Sequence, residues 1–97
     1  MRVDFIANLS DLMGVQHLEV DVVREGLHTV RDLVLYLKRV ADRRGSGVYE
    51  EVFREDGSVK DSVNVLIDGR NAQFLMGFDT PLEGVSVVTL IPPVAGG

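Results

Sequence analysis

Val85-Ser86-Val87-Val88-Thr89-Leu90-Ile91-Pro92-Pro93-Val94-Ala95-Gly96-Gly97 is a run of β-favouring residues that gives way to two prolines and ends on two glycines. Valine, isoleucine and threonine fit a pleated surface, and apolar residues occupy both parities of the run. That combination predicts a central strand over 85–91. The prolines fix φ near the polyproline value and stiffen the root of the terminal segment. Glycine has no Cβ, so a carboxylate carried on Gly96-Gly97 can enter a channel too narrow for any other side chain. Six extended residues reach on the order of 20 Å, enough to cross from a domain surface into another protein's pocket. The expectation is a folded domain over 1–91 and a flexible, reactive tail over 92–97. Gly97 supplies the reactive carboxylate, with Gly96, Ala95, Val94, Pro93 and Pro92 as its approach. A frayed terminus is the plainer reading of the same residues.

Working back from that strand, Val63, Val65 and Ile67 alternate and stop at Asp68-Gly69, a turn dipeptide that starts a return through Asn71 to Leu75. Pro81 and Gly84 bracket a second turn. At the other end, Val3, Phe5 and Ala7 alternate with Arg2, Asp4 and Asn8, the pattern of a strand with one buried face; Ile6 breaks it and faces outward. Ser10-Asp11 and Gly14 supply turn chemistry before Leu18, Val20 and Val22, so the first two strands form an antiparallel hairpin joined by a short loop. Met1, Met13 and Met76 read as initiator, loop and core-filling residues.

Thr29 with Asp32 three residues on resembles a capping box. Val30, Leu33, Val34, Leu37, Val40 and Ala41 then follow helical spacing, and the helix closes near Arg43-Arg44 with Gly45 beyond. Arginines there complement the helix dipole, which is a sufficient structural reason for the basic cluster. Val48 to Phe53 could add a short helical turn. Strand, strand, helix and two or three further strands make an α+β fold: a mixed four- or five-stranded sheet with one main helix on one face, first and last strands parallel. This is similar to the β-grasp arrangement of ubiquitin-like domains. With Val88 and Leu90 toward the helix, Val87, Thr89 and Ile91 face outward beside Ile6. Ile91, Thr89 and Ile6 are therefore candidate partner-binding residues, and Leu75 joins them through the family resemblance described below.

The 97 residues make one domain, and a net charge of -5 is the wrong sign for direct nucleic-acid binding; it favours a basic partner surface. The absence of cysteine removes a disulfide framework, a thiolate metal site and a cysteine nucleophile. No apolar run has signal-peptide or membrane-span length, which places the protein in the cytoplasm, and Asn8-Leu9-Ser10 matches a glycosylation sequon by chance. His17 and His28 fall on different elements with no third ligand near in sequence, so no metal site is expected. Glu50, Glu51, Glu55, Asp56 and Asp61 read as a solvated face, and the serines lack a nucleophile-elbow context. Gly45-Ser46-Gly47 lacks the Lys-Ser/Thr of a phosphate loop, so no nucleotide is bound here and any ATP-dependent activation must come from another protein.

Asn64-Val65-Leu66-Ile67-Asp68-Gly69-Arg70-Asn71, Phe74-Leu75, Phe78-Asp79-Thr80-Pro81-Leu82 and Leu90-Ile91-Pro92-Pro93-Val94-Ala95-Gly96-Gly97 resemble the small subunit of molybdopterin synthase and its archaeal sulfur-carrier and modifier relatives. The likeness is detailed over 63–97 and looser over the first strand and the Thr29-Val30-Arg31-Asp32-Leu33 helix start. The chain departs from it at Glu83-Gly84-Val85-Ser86, where an Asp-Gly-Asp type turn is usual, and in a longer 45–62 segment. The resemblance implies that an adenylyltransferase similar to ubiquitin-activating enzymes uses ATP to adenylate the Gly97 carboxylate, which becomes a thiocarboxylate sulfur donor. A carrier of that kind has no catalytic machinery of its own. It implies a molybdopterin synthase large subunit as the receiving partner. Conjugation of Gly97 to target-protein lysines and sulfur donation for tRNA thiolation remain open beside it, as does a purely structural interaction module.

Overall fold

The computed structural model describes residues 1–44, 54, 60 and 62–92, and of Asn8, Leu12, Asp42 and Arg44 the backbone alone. The tail after Pro92 and the turn expected over 48–53 lie outside the described residues. Five strands, β1 (Arg2–Phe5), β2 (His17–Glu19), β3 (Asn64–Ile67), β4 (Arg70–Asn71) and β5 (Val87–Ile91), form one mixed sheet in the order β2-β1-β5-β3-β4. The last strand is thus central. It pairs in parallel with β1, Arg2 opposite Val87 through Phe5 opposite Leu90, and antiparallel with β3, Asn64 opposite Ile91 through Ile67 opposite Val88. Each outer strand is short, which limits the unpaired edge.

Alternation sorts the side chains. Val3 and Phe5, Val65 and Ile67, and Val88 and Leu90 are buried on one face, where they join Val30, Leu33, Val34, Leu37 and Ala41 in a single core. Those last five come from the main helix, Val30–Arg44, at the predicted spacing. Its start is fixed from both directions: the Asp32 carboxylate accepts the N–H groups of His28 (2.8 Å) and Thr29 (3.1 Å), while the Thr29 hydroxyl accepts the Asp32 N–H at 3.4 Å. Asp thus does the work usually given to Glu or Gln in a capping box.

These donors, His28 N–H first, hold the Asp32 carboxyl below its ordinary 3.8. A depressed folded-state pKa stabilises the fold above the unfolded value, and that contribution is lost as pH falls through the folded value. Asp32→Asn is therefore expected to lower the thermal midpoint at pH 7. The gap to wild type should narrow on acidification below about pH 3.8, which thermal melts across a pH series would register.

Six expectations are corrected. The β1–β2 connection contains a short helix, Asn8–Met13, in place of a plain loop. Strand alternation ends at Phe5 because Ala7 turns to φ 54° and starts that helix, leaving Ala7 exposed. Leu9 and Met13, one helical turn apart, both enter the core, so Met13 is a core residue and not a loop residue. The return after Asp68-Gly69 pairs only at Arg70–Asn71 and then coils into two 3-10 turns, Ala72–Phe74 and Gly77–Asp79. Met76 lies between those turns and is exposed, not core-filling. The last strand begins at Val87, two residues later than expected, because Ser86 and Val87 first donate their N–H groups to the Asp68 carboxylate (3.1 and 2.9 Å). The Glu83-Gly84 turn is made by Gly84 at φ 77°, with the Val85 N–H on the Leu82 carbonyl at 3.0 Å.

Candidate functional site

Side chains pointing away from the helix form the open face of the sheet. Cross-strand register lays His17, Asp4, Thr89, Leu66 and Asn71 in one row across all five strands. The neighbouring row begins where β1 ends. Ile6 donates its N–H to the Leu90 carbonyl (3.2 Å), which carries the β1–β5 ladder one step further and sets Ile6 beside Ile91. Asn64 stands on the other side of Ile91.

Ile6 is 42% exposed, and Thr89 and Ile91 are half-buried. These three of the four expected partner-binding residues share one face at the end of the sheet where the chain leaves β5. Pro92, the first residue of the expected tail, is buried, so the departure point is anchored. Pro93, Val94, Ala95, Gly96 and Gly97 lie outside the described residues.

Leu75 is not part of that group. It belongs to the β4 side of the sheet, at the end of the first 3-10 turn, and is exposed between Phe74 and Met76, which are more exposed still. Leu75 was expected here through the family resemblance, and it is one of three consecutive apolar residues. The available signal for the other two was the run itself: Phe74-Leu75-Met76 fits neither strand alternation nor helical spacing between Gln73 and Gly77.

A polar rim flanks Ile6. Arg2 and Asp4 form an ion pair on the open face, Nε to Oδ1 at 2.9 Å, and a shallow depression bounded by Arg2, Asp4, Gln16, His17 and Ser10 adjoins Ile6. An apolar centre with charged groups at its edge is how protein-binding patches are commonly built. Among the described residues there is no cluster of three or more His, Cys, Asp or Glu placed to hold a metal, and no helix is long and apolar enough to cross a membrane.

The model of the ThiS family matches residues 3–97. The chain belongs to that family. A putative sulfur carrier protein of Archaeoglobus fulgidus is 26% identical over 80 residues, which cover 82% of this chain and 83% of that protein. Small archaeal modifier protein 3 of Haloferax volcanii is 51% identical over 43 residues, 44% of this chain and 47% of that protein. Among solved structures, SAMP1 from Haloferax volcanii superposes with a TM-score of 0.77 at 28% identity, covering 99% of this chain and 97% of its own. A putative molybdopterin converting factor, subunit 1, from Pyrococcus furiosus gives 0.65 at 26%, covering 96% and 95%. This ThiS-family chain therefore has the ubiquitin-like β-grasp fold of sulfur carriers and modifiers, with its last strand at the centre of the sheet.

Proposed function

We propose that this protein is a cytoplasmic sulfur carrier whose Gly97 carboxylate is the working group and whose acceptor is a molybdopterin precursor. The observation that carries the reading is the placement of β5. It is pinned on both sides by β1 and β3, so the chain after it is presented from a rigid base beside Ile6, Thr89 and Ile91.

A carboxylate is a poor electrophile. An adenylyltransferase therefore joins a Gly97 oxygen to the α-phosphorus of ATP and expels pyrophosphate. A sulfur nucleophile then attacks the acyl carbon, AMP leaves, and a thiocarboxylate remains. Without cysteine, the chain has no thiol that could capture its own activated end. The apolar face would dock first on the adenylyltransferase and then on a molybdopterin synthase large subunit, while Gly96 and Gly97 enter each active-site channel.

The likeness to small archaeal modifier proteins supports a second reading, in which a lysine amine of a target protein takes the acyl group of the same adenylate, forming an isopeptide bond as AMP leaves. Sulfur donation to a tRNA thiolase would use the same thiocarboxylate. One experiment tests the shared chemistry. The protein is incubated with ATP, a sulfide source and the adenylyltransferase of the same cell, and its intact mass is measured. We expect a gain equal to replacing one oxygen by sulfur, absent when Gly97 is deleted. No gain and no trapped acyl-adenylate would refute the carrier and modifier readings together. A Gly97-dependent ladder of conjugates in cell extract, without the thiocarboxylate, would favour modification over sulfur transfer.

A further inference from the structure

Phe74 is 85% exposed and Met76 64%, on a segment whose backbone is held in place. The Leu75 N–H bonds the Ala72 carbonyl at 3.0 Å, and the Met76 N–H bonds the Thr80 hydroxyl at 3.1 Å. That hydroxyl in turn donates to the Gly77 carbonyl at 2.7 Å. Thr80 is the buried polar side chain of the described core, and it ties the C-terminal end of the loop at Met76 and Gly77. Asn71 adds a cap by accepting the Gln73 N–H at 2.9 Å. A loop so fixed presents its apolar side chains to solvent persistently, at a cost in unburied surface that mobile loops avoid.

Residues on both sides of the same segment line a cavity of about 240 Å³. Val63, Val65, Ala72 and Phe78 form its apolar wall, and Lys60, Asn71 and Gln73 its polar one. A cavity of roughly 150 Å³ is enough to hold a benzene ring, so this one can take an aromatic side chain. One short stretch of chain thus carries a projecting ring and, beside it, a hole of matching size and character. A surface that contains both halves of a contact is complementary to itself under a two-fold rotation.

We propose that two copies of this chain associate through this face, each inserting Phe74 into the cavity of the other, with Leu75 and Met76 around the insertion. Two buried phenylalanines remove on the order of 300–500 Å² from water. Even with the flanking side chains, the total falls short of the ~1,200–2,000 Å² of a stable interface. The association is therefore weak and reversible, in the range of roughly 10 µM to 1 mM. It is driven by apolar burial against the mutual repulsion of two chains of charge -5, so added salt strengthens it by screening. The contact lies on the β3–β4 side of the sheet and leaves Ile6, two strands away, free for a different partner.

Sedimentation equilibrium of the full chain across about 10 µM to 1 mM, at low and at moderate salt, tests this. The weight-average mass should rise above 10.7 kDa toward twice that value, more at higher salt. Phe74→Asp, at a position open to solvent, should keep the monomer mass throughout. Amide shifts of the wild type over the same series give a readout independent of any variant: Val63, Val65 and Ala72 should move together with Phe74. A constant monomer mass, a dimer that Phe74→Asp leaves intact or that salt weakens, or shifts that bypass the cavity residues would each overturn the proposal.

Discussion

Leu33→Ala should destabilise the fold by about 3–5 kcal/mol, the upper part of the range for removing a fully buried leucine. Leu33 is 1% exposed and sits on the inner face of the main helix, in the same core as Val88 and Leu90 of the central strand. The core there is closed from both sides by secondary structure, so the space left by three missing carbons cannot easily collapse and the cavity contribution adds to the lost transfer energy. Leu35, two residues on, lies on the outer face of the same helix, and Leu35→Ala should cost less than about 1 kcal/mol. Guanidinium unfolding of both variants, with equal slopes, gives the comparison. Similar midpoints for the two would mean that the helix is not packed on the sheet as described. The comparison also provides a folding control for tail variants, since loss of the core would imitate loss of the carboxylate.

The parts of the fold that were legible in the sequence are those where one physical requirement leaves one pattern. A strand with partners on both edges is an unbroken β-favouring run, and Val87 to Ile91 is one; it is the central strand, its Val88 and Leu90 buried and its Val87, Thr89 and Ile91 half-buried on the open face. A helix start needs acceptors for its free N–H groups, and Thr29 with Asp32 provides them in the predicted reciprocal way. The parallel pairing of β1 with β5 agrees with the placement of the main helix between them in sequence. The features that could not be read were shorter. The Asn8–Met13 helix spans fewer than two turns, and its Leu9 and Met13 contacts look like loop residues unless the turn at Ala7 is known. The β4 strand has two residues, too few for alternation to register, so the exposed Phe74 and Met76 were hidden behind the expectation of a longer return strand.

At the candidate site, Ile6 was legible because it broke the alternation of its strand, and the structure supplies the reason it can do so. Its backbone still joins the ladder through Leu90, after β1 has formally ended, while its side chain is turned to solvent beside Ile91. Leu75 was included through the resemblance to the sulfur-carrier family, without a register of its own, and it follows the 3-10 turn that comes after the edge strand β4, whereas Ile6 follows β1. Periodicity thus reports which face a residue occupies only while the strand lasts. Beyond its end, neighbours are set by the loops.

On the carrier function proposed above, Ile6→Asp is expected to raise the KM of the adenylyltransferase for this protein by about 30-fold or more, with kcat nearly unchanged. The substitution leaves the N–H of residue 6 on the Leu90 carbonyl, because that bond is made by backbone. It leaves the core intact, because the side chain is 42% exposed. The new carboxylate would have to lose water beside Ile91 when a partner covers the face, and a central contact of that kind is worth about 2 kcal/mol or more. At 1.4 kcal/mol per factor of ten, that is roughly 30-fold. The tail itself is untouched, so once the complex forms the carboxylate reaches the ATP as before, and the loss is confined to docking. Deletion of Gly97 should behave in the opposite way, with docking retained and adenylation abolished. Pyrophosphate release measured over a range of carrier concentrations separates the two. If Ile6→Asp, still folded by thermal melting, is adenylated with the wild-type KM, the face around Ile6 and Ile91 is not where the activating enzyme binds.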